Sequence, residues 1–244
     1  MSTNEMMWNV ILGILAGFLT TLLTWLFLRS SSFLSLFGSS YKVAARLKKE
    51  RISAFRFDRG DFRDRLPNFL SKANHSIGII SVSLKVTDDE GGIASLFLKR
   101  INQSDNFKIT VSLLDPFSQA LEVAAKSLNE KPKEMADDIC LMIKRLLDIK
   151  DRLPDTDRSR LVISVHDFLP MGSAILLDAT PDSGLIQVET KLYKSPRTES
   201  FGYEVHGPSE FYARNYRAWV CVLDESKIID ENYRLKINNR TNEA

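Results

Sequence analysis

The chain has 244 residues, a formal net charge of +2, and 26% charged and 9% aromatic residues. That length accommodates one sizeable domain or two small ones, and the near-neutral balance excludes a chain whose overall charge recruits nucleic acid. Two cysteines, Cys140 and Cys221, stand far apart in apolar-patterned segments, which excludes a disulfide framework or zinc spacing and predicts two packed thiols in a reducing compartment.

Residues 1–6 carry only Glu5 as a charged side chain, and residues 7–28, MWNVILGILAGFLTTLLTWLFL, carry none. As a helix, ~20 apolar residues cross a hydrocarbon layer of ~30 Å. Trp8 and Trp25 stand near the two ends, where amphipathic rings favour the headgroup level. A cleaved signal peptide wants a cationic start, a shorter apolar core and a small-residue cleavage site. The segment therefore predicts a retained transmembrane helix. Arg29, Lys42, Arg46, Lys48, Lys49 and Arg51 follow it, and the excess of cations predicts that this side is cytoplasmic. The expected address is the inner membrane, with the N-terminus outside and the C-terminal domain in the cytoplasm. Sequons at Asn74, Asn102 and Asn239 then carry no glycan. Gly13 and Gly17 form a G-x-x-x-G pair, a spacing that lets two membrane helices approach closely.

Residues 29–61 read as an interfacial serine-rich piece followed by a basic juxtamembrane stretch. YKVAARLKKERISAFRF, residues 41–57, predicts a short amphipathic helix whose cations suit an anionic leaflet; a plain solvated helix fits the same pattern. A globular domain is expected over 62–235. FRDRLPNFLSKA predicts a helix, HSIGIISVSL a strand, GGIASLFLKRIN a helix and FKITVSLLD a second strand. Two helices follow, the second with an apolar stripe at Ile139, Met142, Ile143, Leu146 and Leu147. Four strands come next (RLVISVHDF, SAILLDAT, GLIQVETKLY and FGYEVHG), then a helix that brings Phe211, Tyr212, Tyr216 and Trp219 to one side. This order predicts one α/β domain, a mixed sheet flanked by helices. Residues 236–244 are polar and expected to fray.

No dinucleotide-binding glycine pattern, Walker loop, G-x-S-x-G elbow or H-E-x-x-H occurs, and no cofactor is expected. His75, His166 and His206 are too scattered to specify a metal. One arrangement is more informative. A helix and strand, FLSKANHSIGIISVSL, are followed by a strand ending at SLLDPFS, then by RLVISVHDF, MGSAILLDA and a closing aromatic helix, EFYARNYRAW. In this order the domain resembles a single half of the phospholipase D-like fold, over roughly residues 62–226. The resemblance implies a motif H-x-K-x-x-x-x-D, in which the histidine becomes phosphorylated, the lysine holds phosphate oxygens and two motifs meet in one site. Setting the aspartate on Asp178 puts Met171 at the histidine position and Ser173 at the lysine position. A thioether cannot take the phosphoryl group as imidazole does, and a hydroxyl brings no charge to phosphate oxygens. The resemblance thus implies a degenerate site in which only Asp178 carries over.

Candidate ligand-binding residues are His166, Asp178, Lys191, Lys194, Arg197 and His206, the loop residues supplying cations for an anion. The leading expectation is a membrane-anchored cytosolic sensor or effector. It would pair as a homodimer to complete the two-half arrangement and would bind an anionic small molecule or a partner protein. Such architectures suit bacterial defence or stress signalling by analogy alone. Two readings stay open beside it: an active phosphodiesterase or nuclease rebuilt from His166, Asp178 and His206, and an adaptor that recruits a protein to the membrane.

Overall fold

The computed structural model describes residues 42–56, 66–84, 92–170, 172–190, 194 and 201–243. The candidate transmembrane segment 7–28, with Gly13 and Gly17, lies outside them, as do residues 1–6. Among the described residues no helix is long and apolar enough to cross a membrane. The chain divides into two compact units, Met1–Lys49 and Glu50–Ala244. In the first, the described residues 42–49 are helical, a stretch labelled α1.

The second unit is built on one mixed eight-stranded sheet. Its strands are β1 (Ile52–Arg56), β2 (Ser76–Ser81), β3 (Lys108–Leu114), β4 (Leu161–His166), β5 (Gly172–Leu177), β6 (Leu185–Thr190), β7 (Phe201–His206) and β8 (Lys227–Ile228). They lie in the order β1-β7-β6-β5-β2-β3-β4-β8. β2, β3 and β4 are parallel neighbours, joined by helical crossovers through α3 (Ile93–Gln103) and through α4 (Gln119–Leu128) and α5 (Pro132–Asp151). β5 turns antiparallel against β2, and β6, β7 and β1 continue antiparallel. The expected α/β class is the observed one.

Alternation in the strands sorts side chains onto two faces. Ile77, Ile79, Ile109, Val111, Ile163 and Val165 face α3, α4, α5, the short helix α2 (Leu66–Leu70) and the last helix α7 (Glu231–Glu243), and build the larger core. Ile80, Ala174, Leu176, Ile186, Val188 and Val205 face the other way and pack under α6 (Glu210–Glu225), which supplies Tyr212, Trp219 and Val222. The α5 stripe read from sequence is buried throughout. Fully burying a side chain such as Phe97 or Ile139 contributes about 1.5–3 kcal/mol.

The structure corrects three expectations. The helix expected over residues 41–57 stops at 49, because Arg51 turns left-handed at φ 55° and residues 52–56 pair with β7 as an edge strand. The expected frayed tail is helix α7. Asp230 Oδ1 accepts the Tyr233 N–H at 2.8 Å, and Tyr233 and Ile237, four residues apart on one face, enter the larger core. Arg240 Nε donates to Asp137 Oδ1 at 2.8 Å, and Arg234 pairs with Asp151. Cys140 is buried, its thiol pushed up to about 11 by burial. Cys221 is exposed, since the helical period aims it away from its buried neighbours Trp219 and Val222.

Candidate functional site

The motif position falls on β5. Met171 lies outside the described residues. Gly172 opens the strand, opposite Thr190 of β6, and Ser173 stands opposite Glu189. A Cβ on Gly172 would sit 2.1 Å from the Glu189 carbonyl oxygen, so only glycine allows this approach of the two strands. Ser173 shares the face of Ile175 and Leu177, on the larger-core side, and is 9% exposed. Its Oγ lies 3.0 Å from Ser81 Oγ at the end of β2. Ser81 spends its own proton on the Ser83 carbonyl at 2.9 Å, so Ser173 is the donor in the pair. Directly opposed antiparallel residues share a face, which puts Glu189 on the same face of the sheet as Ser173.

Asp178 follows β5 with φ 49°, a left-handed conformation that aspartate tolerates better than most residues. Its carboxylate accepts three backbone N–H groups from the turn into β2: Asn74 at 2.8 Å on Oδ2, and His75 at 2.7 Å and Ser76 at 2.8 Å on Oδ1. Its own N–H donates to the Ser76 carbonyl at 3.0 Å. The aspartate thus ties the end of β5 to the start of β2, with both of its oxygens engaged there. Beyond it, the turn into β6 is clasped by Tyr212 of α6, whose hydroxyl reaches the Thr180 carbonyl at 3.0 Å and also the Ser183 carbonyl. Gly184, at φ 113°, closes the turn with no room for a side chain.

His166 ends β4 on the face opposite Ser173, 1% exposed. Its Nδ1 lies 2.9 Å from Ser112 Oγ, which lies 2.7 Å from Ser226 Oγ, which donates to the Val222 carbonyl at 2.6 Å. The protons have one consistent order. Ser226 gives its proton to the carbonyl, Ser112 gives its own to Ser226, and His166 donates from Nδ1 to Ser112. Nε2 is then the bare nitrogen, buried and without a partner. Burial pulls the imidazole down to about 4, against the opposing pull of Asp167 and Asp115, so the ring is neutral. Phe168 lies against it, ring centroids 5.5 Å apart. Asp167 is exposed, so the adjacent histidine and aspartate do not act as a pair.

The structure does not assemble His166, Asp178 and His206. Asp178 and His206 lie at the end of the sheet where β2 begins, with Leu185 pairing both Leu177 and His206. His166 lies at the end where β2 finishes, a six-residue strand away, about 20 Å. His206 Nε2 instead meets Ser53 Oγ of β1 at 2.9 Å. Lys194 is anchored by its backbone N–H to the Ser127 carbonyl at 2.7 Å, while Lys191 and Arg197 lie outside the described residues. Among the described residues no three His, Cys, Asp or Glu side chains are placed to hold a metal ion. Sequence reasoning missed Ser81, Ser112, Ser226 and Glu189. The signal was present for Ser81 and Ser112, each a hydroxyl inside an otherwise apolar strand, where a buried polar group demands a partner.

No protein-family model matches the chain, and no curated protein matches it. Solved structures similar to it include TrmBL2, an archaeal chromatin protein, at 8% identity and a TM-score of 0.45 over 82% of this chain and 63% of that one. A phospholipase D family member, Nuc from Salmonella typhimurium, is similar at 7% identity and a TM-score of 0.42, over 73% of this chain and 99% of its own. NucT from Helicobacter pylori is similar at 12% identity and a TM-score of 0.42, over 72% and 100%. The chain thus spans less than two thirds of TrmBL2 and essentially the whole of Nuc and NucT. At these identities the likeness is one of fold.

Proposed function

We propose that the protein is a membrane-anchored sensor or effector whose cytosolic domain is a catalytically degenerate phospholipase D-like half, acting as a homodimer on an anionic ligand or a partner protein. The observation that carries this reading is the state of the motif position. A phosphoryl-transfer site needs a nucleophile and a fixed cation at the phosphate oxygens. Ser173 offers a neutral hydroxyl already committed to Ser81, and the residue opposite it on β6 is Glu189, not a cation. Asp178, the one motif residue retained, accepts backbone N–H groups through both carboxylate oxygens at the turn into β2. The cations for an anionic ligand are then those of the loop that contains Lys194. The rival of a site rebuilt from His166, Asp178 and His206 is weakened by their placement at opposite ends of the sheet.

The test is a phosphodiesterase assay of the full chain on a chromogenic diester, on phospholipid vesicles and on single-stranded DNA, followed by a thermal-shift screen with nucleotides and phosphorylated metabolites. No turnover, together with stabilisation by an anionic compound and a dimer in sedimentation, is the expected result. Turnover that disappears in His166→Ala or His206→Ala overturns it in favour of the enzyme. A monomer that binds no anion overturns the sensor.

A further inference from the structure

The described residues of α1, 42–49, are all exposed. Val43 and Leu47, one turn apart, form an apolar strip that stays 56% and 39% exposed. At 3.6 residues per turn, Arg46 and Lys48 flank this strip and Lys42 and Lys49 stand behind it. The helix carries no carboxylate. A surface that suits it is apolar beneath and anionic at the rim. A bare phosphate backbone answers only the cations and leaves Val43 and Leu47 in water.

We infer that α1 is an interfacial helix that lies on the headgroup layer of an anionic bilayer, with Val43 and Leu47 towards the acyl chains and Arg46 and Lys48 on the lipid phosphates. This rests on the membrane-anchored reading above and adds to it a lipid class and a residue-level contact. The contact is a second attachment of the chain, separate from the apolar segment 7–28. It is sensitive to ionic strength, because exposed charges are screened by salt.

The full chain, carrying Cys221→Ser so that the buried Cys140 is the remaining native thiol, is labelled with an environment-sensitive fluorophore at Leu47→Cys or, separately, at Lys49→Cys. It is reconstituted into nanodiscs of phosphatidylcholine alone or with phosphatidylglycerol. The expected result is blue-shifted emission and protection from an aqueous quencher at position 47 in the anionic discs. Position 49 stays accessible, and position 47 loses protection when Lys42, Arg46 and Lys48 are changed to Gln. Equal protection in both discs overturns the anionic-lipid assignment, and exposure of position 47 in both overturns the interfacial placement. Protection by double-stranded DNA in place of anionic lipid reassigns α1 to nucleic acid. Alkaline extraction of the same protein from liposomes reports on the segment 7–28 independently. Release overturns the membrane anchor, whereas retention with position 47 exposed overturns this inference alone.

Discussion

Asp178 Oδ1 accepts the backbone N–H of His75 at 2.7 Å across 103 positions of sequence, and the same carboxylate takes the N–H groups on either side of it. A residue that looks like the remnant of a reaction motif is therefore a strand-to-strand tie. Asp178→Asn keeps the size and the tolerance for positive φ but removes the charge, and it turns a donor towards one of the three N–H groups. A charge-assisted bond contributes about 1.5–3 kcal/mol, so the variant is expected to lose about 2–4 kcal/mol of stability. Urea denaturation of the Glu50–Ala244 unit measures it. An unchanged midpoint with lost ligand binding would return Asp178 to a functional role.

Gly172→Ala tests the strand approach at the motif position. The added methyl meets the backbone of Glu189 rather than the mobile end of a side chain, so β5 and β6 must separate. The expected loss is about 3 kcal/mol or more, with amide exchange rising first along the β5–β6 ladder. A variant with wild-type melting and protection would mean that the two strands are less closely placed.

His166 gives the fold a pH dependence whose sign follows from its burial. Its folded-state value, about 4, lies below the ordinary histidine value of 6.5, so between these limits the unfolded chain binds more protons than the native one. Stability is full above about 6.5 and falls as pH drops towards 4, by about 3 kcal/mol in all. His166→Gln should flatten that limb of the stability profile. Nitrogen chemical shifts of the ring should place the proton on Nδ1 at neutral pH. A proton on Nε2 would break the Ser112–Ser226 chain as described.

Much of the fold was legible because alternation and helical period report burial directly. The strands from Leu161 to His166 and from Leu185 to Thr190, and the α5 stripe, follow from which residues must leave water. The two ends of the domain were not legible. In α7 the apolar signal is two side chains, Tyr233 and Ile237, set in polar sequence, and the rest of the helix is held by Arg234 and Arg240 on carboxylates of α5. In β1, a five-residue strand follows directly on a basic helix, and only its pairing with β7 gives it an identity. The site was half legible. The resemblance set Met171, Ser173 and Asp178 in one motif, but which residues face each other across a sheet depends on register. Glu189 opposite Ser173, and His206 far from His166, could not be counted from one strand.

Ser209 and Glu50 together cap α6. Ser209 Oγ accepts the Tyr212 N–H at 3.0 Å and donates to the Glu50 carbonyl, and Glu50 Oε2 takes the Phe211 N–H at 3.0 Å across 161 positions. During synthesis Glu50 leaves the ribosome long before the helix it serves. The first strand waits in the same way for Gly202–Val205. Parallel β2, β3 and β4 can assemble on the nascent chain, while the edge that joins the domain to its upstream segment closes last. Premature termination anywhere before residue 202 therefore leaves that edge open, with β1 unpaired at the mouth of the domain.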